Sequence, residues 1–135
     1  MFLQLLPLLA RLLLSAIFLA SGFMKLAAPA AAMAGIARLH LPMPAQLAWL
    51  IAVAIELGGG IFVLLGYRTR PAALLLALFC VVTGFAVHYH PGNQDQMNQF
   101  MKNLAIAGGF LQLAATGPGR FVLATAGSKA ASRRG

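Results

Sequence analysis

The 135-residue chain holds two acidic residues, and one of them, Glu56, stands in an otherwise uncharged apolar stretch over residues 47–65. A carboxylate at the centre of a bilayer-spanning helix costs about 2.5 to 3.5 kcal/mol on insertion scales, so it is expected to hold a partner or perform a task. The cation expected to answer it is Arg11, which interrupts the first apolar segment. Two chemistries fit. In one, Arg11 and Glu56 form a buried ion pair that fixes helix packing. In the other, Glu56 binds or protonates a ligand in a cavity beside Gly59 and Gly60, whose missing side chains let another group approach closely. Arg11, Glu56, Gly59 and Gly60 are therefore read as a buried polar centre.

A second polar group gathers toward the opposite end of the apolar segments: Lys25, His88, Lys102 and Asn103, with His90 and Asp95 nearby. His88, His90 and Asp95 carry nitrogen and oxygen donors that suit zinc or another transition metal. Two histidines in one loop do not complete a metal set, and none is assigned. The other readings are a pH-sensitive or quinone-facing polar mouth, and ordinary interfacial loop chemistry. Trp49 and Tyr89 read as interfacial aromatic anchors.

These residues need elements that live in hydrocarbon. Of the chain, 61% is apolar and 9% charged, whereas soluble domains carry roughly 25% charged residues. Four apolar blocks, over residues 5–26, 47–65, 71–87 and 100–116, approach the roughly 20 helical residues that cross a bilayer. The last two are short, and either could lie partly at the interface. The expected fold is all-α, a four-transmembrane-helix bundle. Residues 1–120 form one membrane domain, and residues 121–135 form a basic, disordered cytoplasmic tail. The first block is expected to stay as a span rather than be removed as a leader. No Lys or Arg precedes it, Arg11 falls inside it, and it exceeds a normal leader core.

Helical spacing turns scattered polar residues into faces. Arg11, Ser15, Phe18, Gly22 and Lys25 follow one another at intervals of four and three residues and so share one stripe of the first helix. Ala52, Glu56, Gly60 and Val63 do the same on the second, and Asn103, Ala107 and Phe110 on the fourth. The first connection, residues 27–46, has room for a short interfacial helix over residues 30–39. The second, Gly66 to Pro71, is a tight turn that makes its neighbouring helices antiparallel.

Net charge is +8, but its placement argues against a nucleic-acid partner. Arg68, Arg70, Arg120, Lys129, Arg133 and Arg134 fall on one side of a four-span chain, and Lys25, Arg38 and Lys102 on the other. Six against three, with Arg11 inside the membrane, favours both termini in the cytoplasm. The basic tail then sets topology and meets anionic lipid. Cys80 is the sole cysteine, which excludes an internal disulfide and a redox-active pair, and it reads as a packing residue.

Several runs resemble the DoxX family of small four-helix bacterial inner-membrane proteins. They are Arg11-Leu12-Leu13-Leu14 through Gly22-Phe23-Met24-Lys25, then Glu56-Leu57-Gly58-Gly59-Gly60 with Gly66 and Arg70, His88, Lys102-Asn103-Leu104-Ala105-Ile106-Ala107-Gly108-Gly109, and Gly117-Pro118-Gly119. The tail departs from the family pattern, because Arg120-Phe121-Val122-Leu123-Ala124 lacks the aspartate that often follows the Gly-Pro-Gly turn. The resemblance implies location in the bacterial inner membrane. It also implies a role in one of several classes, since some relatives belong to thiosulfate:quinone oxidoreductases, others accompany redox-defence enzymes, and distant ones look like assembly or cargo factors. The chain carries no haem-attachment motif, cysteine cluster or dinucleotide fingerprint. A redox role would therefore need quinone, a partner protein or both, and would make the chain a non-catalytic or quinone-proximal subunit of a membrane complex. The alternatives are a membrane chaperone or scaffold whose glycine-rich faces bind partner helices, and a small-solute transporter acting as a homo-oligomer.

Overall fold

Apolar periodicity broken by proline and glycine yields helices and connecting turns. The computed structural model describes residues 1–123. It contains five helices: α1 (Phe2–Ala27), α2 (Pro29–Ala37), α3 (Ala45–Leu65), α4 (Thr69–His88) and α5 (Gln94–Thr116). Most of the expected basic tail, residues 124–135, lies outside the described residues. Three helices, α1, α3 and α4, are long and apolar enough to cross a membrane. The third block is thus a fuller span than the sequence suggested, because α4 begins at Thr69 and accommodates Pro71 in its first turn. The 23-residue α5 absorbs the fourth apolar block but opens with polar turns containing Gln94, Asp95, Gln96, Asn98 and Gln99. Asn93 caps it by accepting the Gln96 N–H at 3.2 Å.

Helix packing in hydrocarbon gains little from burying apolar area, since lipid tails are as apolar as leucine, so close approach carries the association. The sequence supplies it with small residues. On α4, Thr69, Ala72, Ala73, Leu76, Ala77 and Cys80 are buried at helical spacing. This face packs extensively against α5, where Phe100, Ala107, Phe110 and Leu113 are buried. On α1 the expected stripe faces inward: Arg11, Ser15, Phe18 and Gly22 are its buried residues. Phe18 joins the core with its ring edge-on to Phe110, centroids 5.4 Å apart. Gly22 sets the distance between α1 and α3, because a Cβ there would lie 2.7 Å from the Leu57 Cγ. Around the outside, Leu13, Ile17, Leu50, Leu74, Leu78 and Leu111 are exposed, as lipid-facing residues should be.

Two helices depart from α geometry. α3 contains a π-helical segment at Ala54–Gly59, and α4 ends in one at Gly84–His88. Glu56 lies in the first and His88 in the second. Such segments recur at functional sites, because the wider turn re-aims side chains and loosens the backbone ladder. α3 then ends in a left-handed Gly66 (φ 74°). The Gly66 N–H reaches the Val63 carbonyl at 3.1 Å and the Tyr67 N–H reaches the Phe62 carbonyl at 3.0 Å, a Schellman cap. The Phe62 and Tyr67 rings pack edge to face across it, 5.4 Å between centroids. The short α2 buries none of its residues and lies against α1 and α3.

Candidate functional site

Glu56 is 4% exposed, and the cation beside it is Lys25. The Lys25 Nζ lies 3.1 Å from Oε1, to which it donates, and 3.0 Å from Oε2. Ser21 Oγ donates to Oε1 at 3.0 Å and accepts from Lys25 Nζ at 2.8 Å. Oε2 is fully buried and is met by the Lys25 ammonium as an ionic contact, without a further hydrogen-bond partner among the described residues. Trp49, on the preceding turns of α3, donates its indole N–H to the Lys25 carbonyl at 3.0 Å. It thereby satisfies one of the last carbonyls of α1.

The expected Arg11–Glu56 pair does not form. Arg11 donates from Nε to the Val63 carbonyl at 2.9 Å and from Nη2 to the Leu64 carbonyl at 2.7 Å. Its Nη1 serves the carbonyls of Pro118, at 3.0 Å, and Phe121. Leu123 adds a backbone N–H to the Leu65 carbonyl at 2.9 Å. Arg11 therefore joins the end of α3 to the segment after α5, and the carbonyls that close α3 all find donors. The physical reason is the direction of side chains: each Cα–Cβ bond on a helix tilts toward its N-terminus. On α1 that carries Arg11 toward the Phe2 end, away from Glu56, and carries Lys25 back down toward the level of Gly22. Glu56 on antiparallel α3 tilts the other way, to meet it. This signal is present in the sequence, but the interruption of the first apolar segment by Arg11 does not reveal it.

A cavity of about 640 Å³ opens beside the ion pair. Its walls come from all five helices and the loop after α2, and they include Ile17, Phe18, Ile55, Phe79, Cys80 and Ile106. Ala32, Gly35 and Ile36 of α2, with Leu39, Leu41 and Met43, close one side. Leu75, Leu78 and Val82 line it and are themselves exposed on α4, so the cavity reaches the lipid-facing surface. The polar groups on this mostly apolar lining are Glu56, Lys25, Ser21, Thr83, His88 and Asn103. Asn103 Nδ2 donates to the Cys80 carbonyl at 3.2 Å and to Thr83 Oγ1 at 3.3 Å. Thr83 Oγ1 in turn donates to the Phe79 carbonyl at 2.7 Å.

The two groups read from the sequence are thus regrouped. Glu56 leaves Arg11 and joins Lys25, His88 and Asn103 around the cavity, while Lys102 is exposed on α5 and takes no part in the lining. Gly59 and Gly60 do not open toward the cavity. Gly59 faces Leu76 and Gly60 faces Leu19, whose Cδ2 would lie 2.9 Å from an added Cβ. Their small size is spent on packing. His88 Nδ1 pairs with Gln96 Oε1 at 2.9 Å and His90 Nε2 with the Val87 carbonyl at 3.1 Å. Among the described residues no three His, Cys, Asp or Glu side chains come together as a metal set, so His88, His90 and Asp95 do not form one. Sequence reasoning missed Ser21, Thr83, Cys80 and the wall formed by α2. Ser21 lies four residues before Lys25, and that spacing could have revealed it.

Comparison with known proteins agrees with a membrane location. The DoxX family model matches residues 6–89. The inner membrane protein YqjF of Escherichia coli (strain K12) is 35% identical over 117 residues, covering 84% of this chain and 85% of that protein. The inner membrane protein YphA of the same organism is 38% identical over 121 residues, covering 86% of each. No solved structure matches the chain significantly. The chain belongs to the DoxX family and is a multi-pass protein of the bacterial inner membrane.

Proposed function

We propose that the protein binds a lipid-soluble small molecule of the quinone class between its helices, and that it serves as the quinone-proximal, non-catalytic subunit of a redox or oxidative-stress complex in the membrane. The observation that carries this reading is the cavity of about 640 Å³ that runs from the lipid-facing surface to the buried Glu56–Lys25 pair. Ligand sites are mostly apolar concavities of roughly 300–1,000 Å³ with a few convergent polar groups. A lateral opening suits a molecule that arrives from the bilayer. Lys25, Glu56, His88 and Asn103 would orient its polar ring, with Arg11 acting on stability alone. Electron transfer is left to a partner protein, since the chain has no redox motif of its own.

In this reading α5 is the fourth span and both termini are cytoplasmic. Asp95→Cys would then be labelled from the periplasmic side and Arg120→Cys only after permeabilisation, in a Cys80→Ser background. The scaffold alternative has less support, because Gly22, Gly59, Gly60 and Gly109 each face a leucine of this same chain, which leaves Gly58 and Gly108 as the glycines of these faces that meet open space.

The test is purification in native-lipid discs followed by mass spectrometry for bound quinone and stoichiometric proteins. Quinone and a redox enzyme should be recovered with the wild-type chain, and quinone should be lost from a folded Glu56→Gln variant. Recovery of neither from the wild type would overturn the reading.

A further inference from the structure

The cavity lies toward one end of the bundle. Its lining begins at Ile17 on α1, stops at Glu56 on α3, runs from Leu75 to His88 on α4 and touches α5 only at Asn103 and Ile106. All four stretches lie toward the end that carries α2 and the α4–α5 connection. There α3 and α4 stand apart: no Cα of α2 or of Ala45–Val53 comes within 8 Å of a Cα of α4. From Ala54 onward α3 packs against α4, so the π-helical segment stands at the fork. On one side of the gap stand Leu41, Met43 and Ile51, and on the other Leu75, Leu78 and Val82, all lining the cavity and all exposed. At the opposite end the ring of helices is shut. There α1 and α4 pack on α3, α4 packs on α5, and Leu14 of α1 lies against Gly109 of α5.

Of the ion pair that this cleft reaches, the lysine is the accessible member. Lys25 lines the cavity with 26% of its side chain exposed, whereas Glu56 keeps 5% and is closed in by Lys25 and Ser21. An ammonium offers only N–H donors, so the group that meets it is an acceptor. Glu56 already balances its charge, so a neutral carbonyl suits the place better than an anion. An unfilled apolar gap forfeits the dispersion contacts of the atoms that line it, and a hydrocarbon chain restores them. We propose that this cleft is a portal to one leaflet only. A neutral amphiphile with a carbonyl-bearing ring and a single hydrocarbon chain enters it ring first, sets a carbonyl oxygen against Lys25 and leaves its chain between α3 and α4. The inference deepens the quinone reading above and rests on it, and with both termini cytoplasmic the leaflet is the periplasmic one.

The experiment uses the full chain in lipid nanodiscs with two photoreactive probes, decylquinone bearing a diazirine in mid-chain and decylquinone bearing an azide on the ring. Labelled positions are mapped by mass spectrometry, and only label removed by excess plain decylquinone is counted. The chain probe should label residues 29–53 and 75–88, and the ring probe residues 21–25 and 55–56. Bound decylquinone should also fall about tenfold or more in Val82→Trp, whose indole would block the cleft. It should stay at the wild-type level in Leu111→Trp, a position exposed on α5 away from the cavity. Chain label on residues 57–74 or 107–123, or an exchange of sites between the two probes, overturns the portal and leaves the cavity as a quinone site. Wild-type binding by Val82→Trp does the same, and the labelling result stands whether or not that variant folds. Failure of decylquinone to bind the wild-type chain above empty discs overturns the quinone reading and the inference with it.

Discussion

Lys25 Nζ sits between the two oxygens of Glu56, 3.1 Å from Oε1 and 3.0 Å from Oε2, and brings together residues from antiparallel helices. The Lys25 side chain is 26% exposed and the Glu56 side chain 5%. The lysine therefore has a route toward the membrane surface that the glutamate lacks, and the two ends of the pair should respond differently to mutation.

Lys25→Met should destabilise the protein by about 3 kcal/mol or more, because it leaves a buried carboxylate without its cation. Glu56→Gln should cost less, since the amide still accepts from Ser21 and the lysine can snorkel toward water. The double variant Lys25→Met with Glu56→Gln should recover much of the loss of Lys25→Met. Unfolding midpoints of the four proteins in one detergent form a double-mutant cycle that checks the coupling, and additive losses would contradict the pairing.

Arg11→Gln should loosen the junction between the end of α3 and the segment after α5 rather than the cavity. It removes donors from the carbonyls of Val63, Leu64, Pro118 and Phe121, and unmade bonds to buried carbonyls cost about 1 to 3 kcal/mol each. Arg11→Lys should rescue little, because a single ammonium lacks the planar fork that reaches several acceptors at once. The expected readout is a lowered unfolding midpoint together with faster protease cleavage after Gly117. Binding of the cavity ligand at low temperature should be unchanged.

Gly66→Ala meets two obstacles. Its φ of 74° disfavours any side chain, by about 1 to 2 kcal/mol. An added Cβ would also lie 2.5 Å from Val122 Cγ1. Adding Val122→Ala should therefore restore part of the lost stability and not all of it. Full recovery would mean that only the steric contact matters, and no recovery that only the backbone conformation does.

Ala86→Trp places a large ring in the cavity wall from a position that is exposed on α4. Bound quinone should drop to background while the unfolding midpoint shifts by less than about 1 kcal/mol in equivalent stability, as expected for a surface position. Retention of quinone at wild-type levels would show that the ligand lies elsewhere.

Much of this organisation is legible in the residues. The stripe Arg11, Ser15, Phe18 and Gly22 is buried as its spacing requires, and Glu56 in the middle of an apolar run was bound to face the interior. Composition settles the membrane, because so few charges cannot cover a water-facing surface. Periodicity also settles which face of each helix turns inward, since 3.6 residues per turn is a local property of the chain.

What periodicity leaves open is how far one helix slides along its neighbour. Arg11 and Lys25 occupy the same stripe of α1, and either could answer a carboxylate on α3. The choice falls to Lys25 because Leu57 packs into the space left by Gly22 and draws Glu56 to that level. The tilt of the side chains then carries Lys25 toward Glu56 and Arg11 toward the carbonyls of Val63 and Leu64. The cavity is likewise a product of assembly. Its walls come from five helices and a loop, and the π-helical segments that place Glu56 and His88 on it have no separate sequence signal beyond nearby glycines. Burial and charge are written along each helix, whereas axial register and enclosed space exist only between helices, where side-chain shape and carbonyl satisfaction decide them.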